Sequence, residues 1–306
     1  MSLLEMFCDV DTFCVSMAKS GEMKQITQKK RGPQAHLCIS EIITILIHFH
    51  QSYYRDFKAY YTEYVCQQWR AEFPGLVSSG AHWARFVALM SGALGTMTRY
   101  LCARMGQTNG IAFIDSTPRL EGNRVCHNKR IFHHKVFEGL AARGKHSMGY
   151  FFGFKLHLVV NDQGEFGCPL GAFLFSPGNG DDRKPVPSLV KHLWGKLFGA
   201  KGSISQPLFE QLFAKNLQLI TFPKKKKKPE TRLMPLLDKV IARKRSIIET
   251  IHDQLKNISQ IVHTCHRSPT HFLLNLLGGL LAYTFQAKKP ALHFEQADLK
   301  RLPALI

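Results

Sequence analysis

Two short stretches of the sequence carry residues that could do chemistry on a phosphodiester. In the first, the apolar run Ile111–Ile114 is followed at once by Asp115. A carboxylate at the end of a buried strand lies at the edge of a sheet, where the active sites of open sheets form, and burying it unpaired in the core would be costly. Asp115 is therefore a candidate ligand, although Asp-Ser-Thr is also typical of a turn in which Ser116 and Thr117 cap the chain.

The second stretch, residues 242–257, predicts an amphipathic helix that carries a carboxylate between two cations. Its apolar stripe consists of Ile247, Ile248, Ile251, Leu255 and Ile258. A separate polar stripe carries Arg245, Glu249, His252 and Lys256 at helical spacings. Glu249 could ligate a metal while Arg245 and Lys256 hold phosphates. The plain alternative is a solvated face with an ordinary Arg–Glu ion pair.

Two carboxylates on a strand and a helix of one sheet have a known chemical use. Two Mg²⁺ ions about 3.5–4 Å apart, bridged by carboxylate and phosphate oxygens, activate an attacking oxygen and stabilise the leaving one. Hard divalent cations prefer oxygen ligands, so Asp and Glu suit this task better than His or Cys. The pair Asp115 and Glu249 therefore predicts a magnesium site that acts on phosphodiesters.

The elements around these residues predict an α/β fold. From about residue 38 to 105 the pattern is helical and rich in aromatic residues, with a helix capped by Ser40. Strands are expected at 111–114, 149–160, 171–175, 196–199 and 217–222, and helices near 185–195, 207–216, 235–257 and 271–285. This order predicts an N-terminal helical region followed by a ribonuclease-H-like mixed five-stranded sheet flanked by helices. The expected domains are a DNA-binding region at 1–108, a catalytic domain at 109–290 and a tail at 291–306.

Composition points to a polyanionic partner. The 306-residue chain has 41 Lys and Arg against 22 Asp and Glu, a net charge of +19, which favours nucleic acid first and an anionic membrane surface second. A basic surface without a specific partner is the alternative. The longest apolar stretch, 272–285, is too short to span a bilayer, so no membrane role is expected. The eight cysteines form no CxxC pair, which indicates reduced thiols in a cytoplasm.

Together with a third stretch, LFGAKGSIS (197–205), these features resemble the signature blocks of bacterial insertion-sequence transposases of the DDE superfamily. FIDST (113–117), LFGAKGSIS and the spacing Arg245-x3-Glu249-x6-Lys256 follow in the order of that family's blocks. Intervening segments such as SPGNGDDRKPVP (176–187) are also similar to one subfamily, and the resemblance covers nearly the whole chain.

The resemblance implies a definite activity and setting. A ribonuclease-H-like domain would cleave double-stranded DNA at the terminal inverted repeats of an element with two Mg²⁺ ions. The freed 3′-hydroxyl would then be joined to target DNA. A homodimer that pairs two ends, in a bacterial cytoplasm near the nucleoid, is the expected form.

Carried onto this sequence, the family's site is incomplete. Asp115 matches the first acid and Glu249 the third, but the Gly-Asp-Lys-Gly-Tyr block that holds the second reads Gly199-Ala200-Lys201-Gly202-Ser203. The candidates for DNA or phosphate contact are Arg245, Lys256, Lys201, Lys224, Lys225, Lys226, Lys227 and Lys228. A methyl group cannot ligate a metal, so Ala200 predicts an impaired transposase.

Two questions stay open at the sequence level. Asp181 or Asp182 could replace the missing acid, although Asp182 is also a natural cap for the helix that follows. The chain could be an active transposase or a catalytically inactive relic that still binds DNA, and Ala200 favours reduced activity.

Overall fold

The computed structural model describes residues 2–21, 37–76, 80–118, 135–146, 149–167, 173–200, 205–221, 235–261 and 268–292. The chain forms two compact units, one of Met1–Arg104 with Leu255–Ala287 and one of Met105–Gln254 with Lys288–Ile306. Compactness thus divides the chain differently from the expected boundaries at 108 and 290, and those functional boundaries stay a prediction.

The described helices and strands follow the predicted order. The helices are α1 (Leu3–Lys19), α2 (Ile39–Phe49), α3 (Phe57–Ala59), α4 (Cys66–Gln68), α5 (Gly80–Met90), α6 (Leu94–Ala103), α7 (Val186–Leu189), α8 (Gln206–Phe213), α9 (Leu236–Arg243), α10 (Ser246–Asn257) and α11 (Pro269–Thr284). The strands are β1 (Ile111–Pro118), β2 (Ala142–His146), β3 (Gly149–Asn161), β4 (Phe173–Pro177), β5 (Gly195–Gly199) and β6 (Leu217–Ile220). Among the described residues, no helix combines the length and the apolar character that crossing a bilayer requires.

The first unit is helical and includes α1–α6 and α11. A π-helical turn, Tyr60–Val65, joins α3 to α4. The helix predicted to have Ser40 as its N-cap has its N-cap two residues earlier, at Cys38, with Glu41 closing a capping box. Ser40 is buried and donates a hydrogen bond to Asp11 of α1, so its predicted capping role is wrong.

The second unit contains a six-stranded mixed sheet in the order β2-β3-β1-β5-β6, with β4 also paired to β3. β3 is antiparallel to β1, β2 and β4, whereas β5 is parallel to β1 and to β6. The mixed sheet, its flanking helices and the N-terminal helical region confirm the predicted fold class, consistent with a ribonuclease-H-like fold. One strand, β2, was not predicted, because Ala-Arg-Gly-Lys-His has none of the β-branched or aromatic residues typical of strands.

Each face of the sheet can be recognised by its side chains. On one face, Ala112 and Ile114 of β1 join a cluster with Leu197 of β5 and residues of α7 and α8. On the opposite face, Phe113 of β1 stacks on its register partner Phe198 of β5, with ring centroids 5.5 Å apart. Because side chains alternate along a strand, Asp115 projects from the same face as Phe113.

β1 does not end at Asp115. It continues to Pro118, and Asp115, Ser116 and Thr117 are paired with Leu158, His157 and Leu156 of β3. The turn alternative for Asp-Ser-Thr is therefore wrong. A strand of three polar residues persists here because β3, thirteen residues long, offers a continuous partner.

The helix expected at 235–257 is broken into α9 and α10 at Lys244 and Arg245. In an unbroken helix, Lys244 and Arg245 would share a face with the buried Ile241, which lies three and four residues earlier. At the break, Lys244 is exposed and Arg245 half-buried, while Ile247, Ile248, Ile251 and Leu255 are buried. Ile258, placed on the same stripe by spacing, lies past the helix end and is exposed, whereas His252 of the predicted polar stripe is buried.

A nearly buried ion pair fixes α9 to the sheet. Lys196 Nζ of β5 donates to Asp238 Oδ1 of α9 at 2.6 Å, and the Asp238 side chain is 4% exposed. Since α9 leads directly into α10, this contact helps to set where Arg245 and Glu249 lie.

We expect Lys196→Met to lower the free energy of unfolding by about 2–3 kcal/mol, because it leaves the Asp238 carboxylate buried without its cation. The double variant Lys196→Met/Asp238→Leu should recover most of that loss, since it removes both charges. Urea denaturation of the three proteins measures the effect. Equal stability of Lys196→Met and the unmodified chain would contradict it.

Candidate functional site

The guanidinium of Arg245 joins a carboxylate of the sheet to a carboxylate of a helix. Arg245 Nη2 lies 2.5 Å from Glu249 Oε1, and Arg245 Nη1 lies 3.5 Å from Asp115 Oδ1. Arg245 sits in the turn before α10, so its side chain reaches both β1 and the first turn of that helix. The structure thus brings together three of the residues predicted from the sequence.

Asp115 is held in an environment that favours its protonated form. Burial is the main cause and raises its pKa to about 6, with the negative charges of Glu249 and Asp182 acting in the same direction. Arg245 and a hydrogen bond from the Ser116 N–H lower the pKa but do not cancel the effect of burial. A carboxylate placed in this way gains from a cation more than a solvated one does.

Ala200 directly follows β5, one residue past the end of its ladder with β1. Gly199 pairs with Ile114 in the parallel ladder, so the next residues on the two strands are Ala200 and Asp115. Neighbouring strands are about 4.8 Å apart, and register partners project from the same face. An aspartate at position 200 would therefore have its carboxylate within reach of a cation bound to Asp115.

The donor set of the described site is incomplete for a metal ion. Asp115 and Glu249 supply two carboxylates of the kind that Mg²⁺ prefers, but the Arg245 guanidinium lies between them. Within the described ranges, no group of three or more His, Cys, Asp or Glu side chains could hold a metal. Among the described residues, Asp115 and Glu249 could therefore supply two oxygen ligands to a metal ion if the Arg245 guanidinium between them moved aside.

Asp182 and Asp181 have other partners. Lys155 Nζ of β3 donates to Asp182 Oδ1 and to the Gly180 carbonyl, each at 2.9 Å. Asp181 holds the Arg183 guanidinium and accepts from the Arg183 N–H. The N-cap of α7 is Pro185, so the prediction that Asp182 caps this helix is wrong. The Asp182 carboxylate pairs with Lys155 of β3 instead, which explains why it does not cap the helix.

Because side chains alternate along a strand, Lys155, which holds Asp182, projects from the sheet face opposite to that of Asp115. Lys155 and His157 lie at odd positions of β3, while Leu158, the partner of Asp115, lies at an even one. His157 is buried against Ser176 of β4, with Nε2 2.7 Å from Oγ, and burial lowers its pKa to about 4. Sequence analysis missed this polar group, although two polar residues spaced by two in an apolar strand were a usable signal.

The other residues predicted to contact DNA or phosphate are Lys256, Lys201 and the lysine run at 224–228. Lys256 is partly exposed near the end of α10 and belongs to the helical unit. Lys201 and the run Lys224, Lys225, Lys226, Lys227 and Lys228 lie outside the described residues. Their role in phosphate contact stays a prediction.

The raised pKa of Asp115 gives a testable pH dependence of stability in the metal-free protein. A raised folded-state pKa means that Asp115 contributes stability below about pH 4, and that this contribution is lost as pH rises through about 6. We therefore expect Asp115→Asn to unfold at higher denaturant than the unmodified chain at about pH 7.5, and to lose this advantage at about pH 4. Denaturation with EDTA at both pH values measures it. A variant less stable at the higher pH would contradict the burial account.

The comparisons with known proteins identify a family for this part of the chain. A family model described as Transposase DDE domain matches residues 105–269, more than half of the chain and the whole span from β1 through α10. No curated protein and no solved structure matches the chain. On the strength of the family match, the chain belongs to the DDE transposase domain family.

Proposed function

We propose that this protein is a DNA transposase of an insertion sequence whose strand-cleaving activity is impaired by Ala200. DDE transposases as a family cut and join DNA and generally use divalent metals. In the proposed reaction, Mg²⁺-dependent cleavage at the ends of the element frees a 3′-hydroxyl that is transferred to target DNA. Asp115 and Glu249 are the proposed metal ligands of this chain.

The register of β1 and β5 carries the proposal. Extended by one residue past the Gly199–Ile114 pair, it would put Ala200 next to Asp115 on the sheet face from which Phe113 and Phe198 also project. Arg245 contacts both Asp115 and Glu249. Glu249 of α10 is therefore the second carboxylate near Asp115. Of the three positions at which carboxylates would share the metal ions, one holds the methyl group of Ala200. The Arg245 guanidinium, instead of a metal ion, lies between the other two carboxylates.

Neither neighbouring acid is a good replacement for the missing ligand. Asp181 is tied to the exposed Arg183 side chain, and Asp182 to Lys155 on the other face of β3. The charge of Asp182 still raises the pKa of Asp115, so Asp182 is the nearer of the two. Its ion pair with Lys155 would have to open before it could bind a metal.

The proposed partners follow from the family and the charge. Double-stranded DNA, as terminal inverted repeats and as target, suits a chain of net charge +19, and a homodimer would pair the two ends. We place the protein in a bacterial cytoplasm near the nucleoid. The alternative is a catalytically inactive relic that still binds DNA. The incomplete donor set fits both, and the relic differs only in having no residual cleavage.

We expect Ala200→Asp to raise Mg²⁺-dependent cleavage by at least about 100-fold, because a ligand shared by the two ions contributes several kcal/mol to the transition state. The substrate is a supercoiled plasmid that carries this gene with its flanking DNA, and the readout is nicked and linear product on a gel.

Ala200→Asn is the matched control, since it has the shape of the aspartate without the charge and should stay near the unmodified chain. Adding Glu249→Gln to Ala200→Asp should abolish the gain. If the unmodified chain cleaves as fast as Ala200→Asp, the proposed role of position 200 is wrong, while the family assignment stands.

A second expectation concerns the two neighbouring acids. Because Lys155 holds Asp182 on the other sheet face, Asp182→Asn should change neither the residual cleavage of the unmodified chain nor the shift in melting temperature caused by Mg²⁺. Asp181→Asn serves as the control of equal charge. Loss of the Mg²⁺ shift in Asp182→Asn alone would show that Asp182 is a ligand after all.

A further inference from the structure

The hairpin of β2 and β3 carries an exposed aromatic ring between two cations. Tyr150 is 49% exposed. The Arg143 guanidinium carbon lies 4.5 Å from the centroid of its ring, and Lys145 Nζ lies 5.5 Å from it. Arg143 and Lys145 are themselves exposed. These three side chains, the hairpin patch, have no part in the core and are not among the residues predicted from the sequence.

Strand alternation puts the hairpin patch on the same sheet face as the candidate site. The register of β3 with β2 runs without interruption, pairing Lys145 with Tyr150 and Arg143 with Phe152. Beyond Gly153 the same strand pairs with β1 from Lys155 onward, and Leu158 there is the partner of Asp115. Tyr150, Phe152 and Leu158 are all even positions, so they project from one face. Along this row, exposure rises from the buried Leu158 to the exposed Tyr150.

β3 also projects past the end of β1. Lys155 pairs with Pro118, the last residue of β1, and Tyr150 lies five residues farther along β3. At about 3.3 Å per residue, Tyr150 is about 17 Å beyond the end of β1 and about 26 Å along β3 from the level of Asp115. A DNA strand that leaves the site along this face would meet the patch.

The opposite face of the hairpin is fixed by close backbone contact. A Cβ at Gly144 would lie 2.2 Å from the Gly178 carbonyl oxygen and 2.6 Å from the ring of buried Phe151. The Gly178 N–H donates to the Gly153 carbonyl at 2.8 Å. The hairpin is thus held against the loop after β4, and its cationic face is the one presented outward.

We propose that the hairpin patch binds an unpaired DNA nucleotide, with Tyr150 stacking on the base and Arg143 and Lys145 holding adjacent phosphates. Aromatic side chains on a cationic surface bind single strands in this way, since every base has a stacking face. Arg143 over the tyrosine ring pre-orders that ring, which lowers the entropic cost of stacking. The faces of paired bases inside a duplex are covered by neighbouring bases, so Tyr150 cannot stack on them. The hairpin patch should therefore prefer unpaired nucleotides. The inference rests on the proposed function, since it assumes that the chain acts on DNA.

The test compares two probes by fluorescence anisotropy in EDTA: a blunt duplex, and the same duplex extended by a short single strand of thymidines. The unmodified chain should bind the extended probe more tightly. Tyr150→Ala should weaken binding of the extended probe by roughly 5- to 100-fold, with little change for the blunt duplex. Tyr150→Phe, which keeps the ring, should bind as the unmodified chain does. Phe213→Ala, at an exposed aromatic of α8, is the matched control and should bind both probes normally.

Arg143→Gln and Lys145→Gln should each reduce the salt dependence of binding to the extended probe by about one unit of log–log slope. Equal affinity of the unmodified chain for both probes, or an equal loss on both probes in Tyr150→Ala, would overturn the inference and leave the proposed function standing. Failure to bind either probe at low salt would overturn both.

Discussion

The position of one guanidinium decides what the site can do. Arg245 lies between Asp115 of the sheet and Glu249 of α10, so the charge that brings strand and helix together is supplied by the protein itself. Arg245 lies at the break between α9 and α10, whereas in an unbroken helix it would share a face with the buried Ile241. The position of Arg245 also depends on the Lys196–Asp238 pair, which holds α9 on β5. A cation that bound both acids would have to compete with Arg245, and a third carboxylate would help it to do so.

The parallel ladder of β1 and β5 explains why position 200 matters. Gly199 pairs with Ile114 at the end of this ladder, so an extension of the register by one residue would put Ala200 beside Asp115, on the face of the Phe113–Phe198 stack. The family match spans this region, so the chain retains the frame of a DDE domain where our proposal finds a ligand replaced. Burial raises the pKa of Asp115, and the neighbouring Arg245 only partly offsets that effect.

Much of this could be predicted from the sequence, and the failures have physical causes. The apolar runs at 111–114 and 149–160 gave the central strands, and the spacing of Arg245 and Glu249 gave their ion pair. Local pattern could not reveal that Asp115 lies within a strand, because its pairing partner is 43 residues away in β3. β2 was not predicted, because it is stabilised by pairing with β3 and by backbone contact at Gly144. Neither interaction can be recognised in a short polar segment. The helix break at Lys244 required knowing which side of α9 is buried.

The most direct test of the central claim is a crystal structure of Ala200→Asp soaked with Mn²⁺, with anomalous diffraction used to locate the metal. Our account predicts an anomalous peak bounded by the carboxylates of Asp115, Glu249 and the introduced aspartate, with the Arg245 guanidinium moved away from at least one of the two native acids. The same soak of the unmodified protein should give a weaker peak or none. A metal bound equally in both proteins, or an aspartate at position 200 directed away from Asp115, would contradict the account.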